Sequence, residues 1–198
     1  MRRQGVIAAL MVAAVSLLPH SLLEAKVYLT QEEALAMVFA DPGKVERKTA
    51  FLTRNQVLRI QEIAGVPVES KVITFYLGEK NGGGRTAAFF DTHTVRTLPE
   101  TLLIVVDPEG KLEQVTVLTF LEPTDYLPRG KWYEQFDGKT LGKDLFLERG
   151  IHGITGASLT SRAAIRAVRR ILAIHSVLRE EGGIEPREPG GSDEGHIE

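Results

Sequence analysis

The sequence predicts an α+β fold: a single domain in which an antiparallel sheet of about four strands is flanked by helices. Three observations favour this class. The middle of the chain alternates short apolar runs with turn signals, as the strands of a meander do. Amphipathic helical patterns lie before and after this region. The chain has 198 residues, of which 43% are hydrophobic, and this is enough for one core.

The region before the sheet, residues 26–70, is predicted to be an N-terminal helical segment. Thr30 and Glu33 have the spacing of a capping box for a helix over residues 34–39. A second helical pattern covers residues 54–64 and ends at Gly65, a residue type that commonly terminates helices.

Four strands are predicted next, with turns between them. Residues 81–84 form a glycine-rich hairpin turn, and Pro108 with Gly110 favours a turn before the last strand. The predicted strands cover residues 71–77, 85–91, 101–106 and 112–121.

The clearest helical pattern covers residues 159–178. His175 lies on its apolar stripe and is predicted to pack in the core. Arginines 162, 166, 169 and 170 fall largely outside the stripe, which is typical of a solvated face. Residues 181–198 are rich in Gly, Pro and Glu and are predicted to be a disordered tail.

The first 25 residues are typical of a signal peptide. Arg2 and Arg3 precede an apolar run over residues 6–18, which is short for a membrane span. Residues 23–25 offer a cleavage site. We therefore expect a periplasmic or otherwise extracytoplasmic protein, which would associate with the membrane through its N-terminus if the segment stays uncut.

The composition excludes several kinds of site. The chain has no cysteine, which rules out disulfides, iron–sulfur clusters and thiolate metal sites. The formal net charge is -2 and there is no basic stripe, so no nucleic-acid partner is expected. The sequence shows neither metal-ligand spacing nor a nucleophile paired with histidine, and we predict no metal site and no catalytic residue.

A turn of small residues leads directly into the last helix and forms a candidate binding site for an anion. The unpaired amides and the dipole of a helix N-terminus together attract anions such as phosphate. Gly156 and Ala157 keep the backbone accessible there. On residue types alone, a phosphate site and a simple helix cap by Ser158 or Thr160 are equal alternatives. Hydroxyls are offered by Thr155, Ser158, Thr160 and Ser161.

The stretch Thr155-Gly156-Ala157-Ser158-Leu159-Thr160-Ser161 resembles the flavinylation motif of the FMN-binding domain family. That family includes the FMN-carrying subunits of the Rnf and sodium-pumping NADH:quinone reductase complexes. Its motif is an acidic residue, two variable positions, Ser or Thr, Gly, Ala, and Thr or Ser. A dedicated flavin transferase, using FAD, esterifies the last residue to the FMN phosphate. The resemblance implies that Ser158 carries covalent FMN and that its neighbours Thr155, Gly156, Ala157, Leu159 and Thr160 help to bind it.

Upstream segments resemble the family as well, in the same order. They are Glu122-Pro123-Thr124, Trp132 and Phe136-Asp137-Gly138-Lys139. We therefore assign residues 71–180 as the FMN-binding domain. The chain departs from the family in two places: His152 occupies the acidic position of the motif, and residues 125–128 replace a glycine-rich loop. Slow or absent modification of Ser158 is expected if the transferase needs the missing carboxylate.

The resemblance also suggests roles around the flavin. Trp132 and Tyr126 are candidates for stacking on the isoalloxazine ring, although Trp132 is equally expected as a core residue. Glu122 either bonds the ribityl chain or is a solvated loop charge. His93, at the end of a strand, either approaches the flavin or lies at the surface.

The function implied is that of a one- or two-electron carrier. Its partners would be the flavin transferase and a redox protein such as a cytochrome or a membrane quinone-linked complex, and we expect no substrate turnover of its own. Three alternatives remain. They are an extracytoplasmic flavin-dependent reductase of a small acceptor, a non-flavin module that binds an anion or a partner protein, and a flavin-sensing regulator.

Overall fold

A six-stranded antiparallel sheet with three helices confirms the predicted α+β class. The structure is a computed structural model that describes residues 26–80 and 85–184. The strands are β1 (Lys26–Val27), β2 (Glu46–Phe51), β3 (Val72–Glu79), β4 (Arg85–Thr94), β5 (Pro99–Val106) and β6 (Leu112–Phe120). They lie side by side in the order β1-β6-β5-β4-β3-β2. A further pair, β7 (Phe146–Leu147) and β8 (Gly150–Ile151), runs parallel.

Three predicted segments lie outside the described residues. They are the signal peptide over residues 1–25, the hairpin turn over residues 81–84, and the tail from residue 185 onward. The two strands flanking that turn pair as predicted, with Glu79 opposite Arg85. None of the described helices is both long and apolar enough to cross a bilayer.

The helices are α1 (Gln31–Val38), α2 (Arg54–Ala64) and α3 (Ser158–Glu180). The predicted capping box is present at α1, where Glu33 N donates to Thr30 Oγ1 at 3.2 Å and Thr30 N donates to a Glu33 carboxylate oxygen at 2.8 Å. α2 ends at Gly65 as predicted, with a φ of 67° that glycine adopts readily.

The two faces of the sheet carry different helices because side chains alternate along each strand. Phe75, Phe89 and Ile104 face α2 and α3 and form the larger core. Ala88 and Leu103 point the other way and pack under α1. The long helix α3 therefore lies along one face of the sheet.

β2 was not predicted, because its sequence lacks the alternation that marks a half-buried strand. All of its residues except Ala50 are exposed, and it forms the edge of the sheet by pairing with β3. Strand formation here depends on backbone pairing with a neighbour that is remote in sequence. The segment 26–70, predicted to be helical, thus also contributes β1 and β2.

The predicted tail begins too early. Ile184 is buried in the larger core, and Gly183 N donates to Leu178 O at 2.8 Å, which closes the end of α3. Residues 181–184 therefore belong to the folded domain.

The predicted solvated arginine face of α3 is only half correct. Arg162 and Arg166 are exposed, whereas Arg169 is buried. Arg169 donates from Nε to Ala64 O at 2.8 Å and from Nη1 to Gly142 O at 3.0 Å, and its guanidinium lies 4.0 Å from the centre of the Phe146 ring. A long side chain with a polar end can cover apolar surface while its donors reach unpaired carbonyls.

A buried polar chain connects α3 to the sheet. Arg170 Nη2 lies 2.7 Å from Asp91 Oδ2, and His93 Nδ1 lies 2.9 Å from Asp91 Oδ1. On the other side of the ring, His93 Nε2 lies 3.1 Å from Glu100 Oε2. Tyr133 Oη then donates to Glu100 Oε1 at 2.7 Å. The prediction that His93 approaches a flavin or lies at the surface is thereby replaced by a structural role.

The pKa values of His93 and His175 are shifted in opposite directions. Burial alone would lower the pKa of His93, but its hydrogen bonds to Asp91 and Glu100 and their charges outweigh burial and raise the pKa to about 9. His175 is buried as predicted. Burial lowers its pKa to about 4, the charge of Arg179 acts in the same direction, and Asp107 offsets this only in part. At neutral pH His93 is therefore a cation held between two carboxylates.

The charge on His93 should make the free energy of unfolding fall at alkaline pH. Because its folded-state pKa is raised from 6.5 to about 9, its contribution is complete below pH 6.5 and is lost as pH rises through about 9. The shift corresponds to about 3 kcal/mol of unfolding free energy at most. We expect urea unfolding at pH 6, 8 and 10 to show this loss in the parent protein and a flatter dependence in His93→Gln. Equal pH slopes in the two proteins would contradict the assignment.

Candidate functional site

The candidate site begins at the N-terminus of α3. Ser158 is the first residue of the helix and Ala157 is its N-cap, with no side-chain capping bond from any described residue. The alternative that Ser158 or Thr160 caps the helix is therefore wrong. Thr160 is buried and donates from Oγ1 to Tyr126 O at 2.6 Å, while Ser161 donates from Oγ to Ala157 O at 3.0 Å.

Ser158 differs from these neighbours because its side chain is exposed. Its hydroxyl forms no hydrogen bond with any residue that the structure describes. Leu159, which follows it, is 50% exposed. The first backbone amides of a helix have no partner within it, so a free hydroxyl and free amides occur together here.

A fixed turn leads the chain into this position. Ala157 N donates to Ile154 O at 3.2 Å, and Gly156 has a φ of 89°, as expected at the third position of a type II turn. The backbone of His152 is held as well, because Trp132 Nε1 donates to His152 O at 2.7 Å and His152 N donates to Gln135 Oε1 at 2.8 Å. Hydrogen bonds within the protein thus hold the backbone leading into the motif.

The side chain at the acidic position of the motif, His152, is exposed. A carboxylate lies at the next residue of the backbone, because Gly153 N donates to Glu148 Oε1 at 3.0 Å. Glu148 has a positive φ of 61°, which is uncommon for a residue with a side chain.

A cavity of about 170 Å³ opens at the start of α3. The structure brings Tyr126 and five predicted motif residues to its wall, whereas Thr155 is exposed and does not line it. The lining residues are Arg96, Tyr126, Gly156, Ala157, Ser158, Leu159 and Thr160. Helix amides, a hydroxyl and a guanidinium form a donor set suited to an anion, and it therefore fits the phosphate of FMN.

Arg96 was not predicted. It is exposed in the turn between β4 and β5, and its guanidinium carbon lies 4.6 Å from the centre of the Tyr126 ring. An arginine in a hairpin turn is ordinary in sequence, and only the packing of the turn against segment 124–126 places it near Ser158. No signal in one sequence would have identified it.

Glu122 is buried, so the alternative of a solvated loop charge is wrong. Its Oε1 accepts hydrogen bonds from the backbone N–H groups of Thr97 at 2.7 Å, Leu98 at 2.9 Å and Arg96 at 3.2 Å. Burial by itself would raise the pKa of Glu122, but these hydrogen bonds outweigh it and lower the pKa below its usual value. Glu122 is thus an ionised anchor for the β4–β5 turn, and a contact with the ribityl chain stays a prediction.

Of the two aromatic residues predicted to stack on a flavin, Trp132 lies in the core. It is 6% exposed and packs edge-on against Tyr133 and Phe136, with ring centres 4.9 and 5.4 Å away. These contacts favour the core-packing alternative for Trp132. Tyr126 is half-buried, with Arg96 over one face of its ring.

A second, larger cavity of about 660 Å³ adjoins the same loop. Its volume is in the range of small-molecule sites. The wall is mainly apolar, with Thr124, Leu127 and Pro128 from the loop and Val117 from β6, and it also includes Tyr133 and Tyr28. Segment 124–128 therefore contributes to both cavities. The sequence predicted Trp132, and not its neighbour Tyr133, as a residue that stacks on the flavin ring. Both side chains are aromatic, and only the packing shows that Tyr133 is the one that lines this cavity.

Residues 98–173 match the family model described as FMN-binding domain. The match runs from the start of β5 into α3 and includes Glu122, Tyr126 and Ser158, and it confirms the resemblance seen in the motif. Residues 98–173 are thus similar to an FMN-binding domain, and FMN is the cofactor that this similarity indicates. No curated protein and no solved structure matches the chain.

The Thr160 hydroxyl should be required for the stability of the site. Thr160→Val removes the hydrogen bond to Tyr126 O and leaves that carbonyl without its partner, at a cost of about 1–2 kcal/mol of unfolding free energy. The control, Thr155→Val, makes the same chemical change at an exposed position and should stay within about 0.5 kcal/mol of the parent. Equal urea-unfolding free energies for the two variants would contradict the role given to Thr160.

Proposed function

We propose that this protein carries FMN through a phosphoester to Ser158 and serves as an electron carrier outside the cytoplasm. The observation that carries the proposal is the exposed, unbonded Ser158 hydroxyl at the N-terminus of α3, beside a cavity lined by anion-binding groups. The family match over residues 98–173 supports FMN as the ligand.

Ser158 is the best acceptor among the hydroxyls of the motif. Thr160 and Ser161 are buried and their hydroxyls already donate to backbone carbonyls. Thr155 is exposed but does not line the cavity. Only Ser158 combines accessibility with a place at the cavity wall.

The attachment step balances without an oxidant or reductant. The Ser158 hydroxyl displaces AMP from FAD: the bond from Oγ to the flavin-side phosphorus forms as the bond from that phosphorus to the bridging oxygen breaks. AMP leaves with that oxygen, and the hydroxyl proton is released. Helix amides beside Ser158 would stabilise the negative charge on the phosphate throughout. A flavin transferase would be the partner in this step.

Residues of the larger cavity are the candidates for holding the flavin ring. Segment 124–128 contributes to both cavities, so a ligand attached at Ser158 has a second, mainly apolar surface on the same loop. Tyr133 offers aromatic surface in the larger cavity, and Tyr126 offers it in the smaller cavity at Ser158. When bound, FMN accepts and donates one or two electrons, and the protein tethers and orients it.

Export and a redox partner complete the proposal. The basic start and the apolar run over residues 6–18 support export of the chain. A covalent link would keep the cofactor with an exported protein. Electrons would then pass between this flavin and a cytochrome or a quinone-linked membrane complex.

Ser158→Ala should abolish covalent loading. After co-expression with a flavin transferase, we expect the intact mass of the parent to rise by one FMN less one water, and that of Ser158→Ala to stay unchanged. Ser161→Ala is the matched control, because Ser161 lies three residues further along α3 with its hydroxyl buried, and it should load like the parent. A folded, colourless parent without the mass gain would overturn the covalent proposal.

A carboxylate at position 152 should speed attachment. His152→Asp restores the acidic residue of the motif on a backbone that is already held by Trp132 and Gln135. We expect a larger loaded fraction at a fixed time in intact-mass measurements. His152→Asn has the same shape without the charge and should behave like the parent. If the Asp and Asn variants load at the parent's rate, the transferase does not depend on a charge at this position.

A further inference from the structure

Arg96 is a cation at the edge of the Ser158 cavity. It lines that cavity, and within the described part of the chain its guanidinium pairs with no carboxylate. Its contact is the face of Tyr126, with the guanidinium carbon 4.6 Å from the ring centre. Stacking on an aromatic face restricts the orientation of a guanidinium while its N–H edges stay available for an anion.

The backbone below Arg96 is fixed by Glu122. One carboxylate oxygen accepts from the consecutive amides of Arg96, Thr97 and Leu98, and from the Thr97 hydroxyl at 3.3 Å. A buried, ionised carboxylate holds such a turn more strongly than a neutral acceptor would. The backbone position of Arg96 is therefore set by contacts within the protein.

Both supports of Arg96 come from the segment that follows β6. Glu122 holds its backbone and Tyr126 holds its side chain, while the Tyr126 carbonyl is bonded to Thr160 on α3. One short segment thus ties the β4–β5 turn to the start of the helix. This coupling places a cation and a helix N-terminus at the same cavity.

From this geometry we propose that Arg96 binds the phosphate of the flavin at Ser158. Glu122 and Tyr126 act through Arg96 as positioning residues. The inference rests on the proposed attachment at Ser158. A guanidinium can pair with two oxygens of one phosphate, and the amides of α3 supply donors at the same cavity. Arg96 lies two residues before the family match, which begins at residue 98.

The test measures the rate of FMN attachment to the full unmodified chain, with FAD and excess transferase, by intact mass against time. We expect Arg96→Gln to slow attachment roughly tenfold or more, as loss of a charged hydrogen-bond donor implies, and Arg96→Lys to slow it less. Arg162→Gln is the matched control: Arg162 is an exposed arginine one turn along α3 from Ser158, and it should react like the parent. Glu122→Gln should also slow attachment, and the double variant should react no more slowly than Arg96→Gln.

Phosphorus NMR separates contact with the phosphate from recognition by the transferase. After prolonged incubation to complete loading, the resonance of the attached phosphodiester should differ between the parent and Arg96→Gln and coincide between the parent and Arg162→Gln. A parent that loads while Arg96→Gln loads equally fast overturns the inference and leaves the attachment proposal standing. Slow loading with an unchanged resonance also overturns it, because Arg96 would then serve the transferase. A parent that gains no FMN overturns the proposed function itself.

Discussion

The packing of α3 along one face of the sheet is the constraint on which the rest of the structure depends. Its apolar residues pack in the larger core together with Phe75, Phe89 and Ile104. Burial of apolar surface on this scale is the main stabilising term for a domain of this size. Because the helix starts at Ser158, the same packing fixes where the free amides and the free hydroxyl point. The packing of the core therefore determines the position of the site.

Buried polar contacts define where α3 lies on that face. Arg169 reaches the last carbonyl of α2, and Arg170 pairs with Asp91 in the middle of the sheet. The charges of Arg170 and His93 balance those of Asp91 and Glu100, so none of the four is buried alone. Such groups add little net stability compared with apolar side chains, but removing one partner is costly. Their effect is to favour one placement of the helix over neighbouring ones.

The site itself is assembled from three remote parts of the chain. The β4–β5 turn supplies Arg96, the segment after β6 supplies Glu122 and Tyr126, and the start of α3 supplies Ser158. Each part is held by hydrogen bonds to another, so contacts within the protein define the cavity. A preorganised set of donors binds an anion without a further cost of ordering. This arrangement suits a site whose ligand would be attached once and kept.

Much of the fold and the centre of the site could be read from local sequence. The capping box at Thr30 and the end of α2 at Gly65 follow from short-range backbone chemistry, and α3 starts one residue before the predicted Leu159. The motif around Ser158 indicated the similarity to FMN-binding domains that the family match confirms. Tertiary structure alone decided the rest. β2 forms because it pairs with β3, which follows it only after α2. Trp132 is buried, whereas Tyr133 lines a cavity. Glu122 bonds the backbone of Arg96, which lies 26 residues earlier in the chain. These roles depend on contacts between distant segments, which no local pattern encodes.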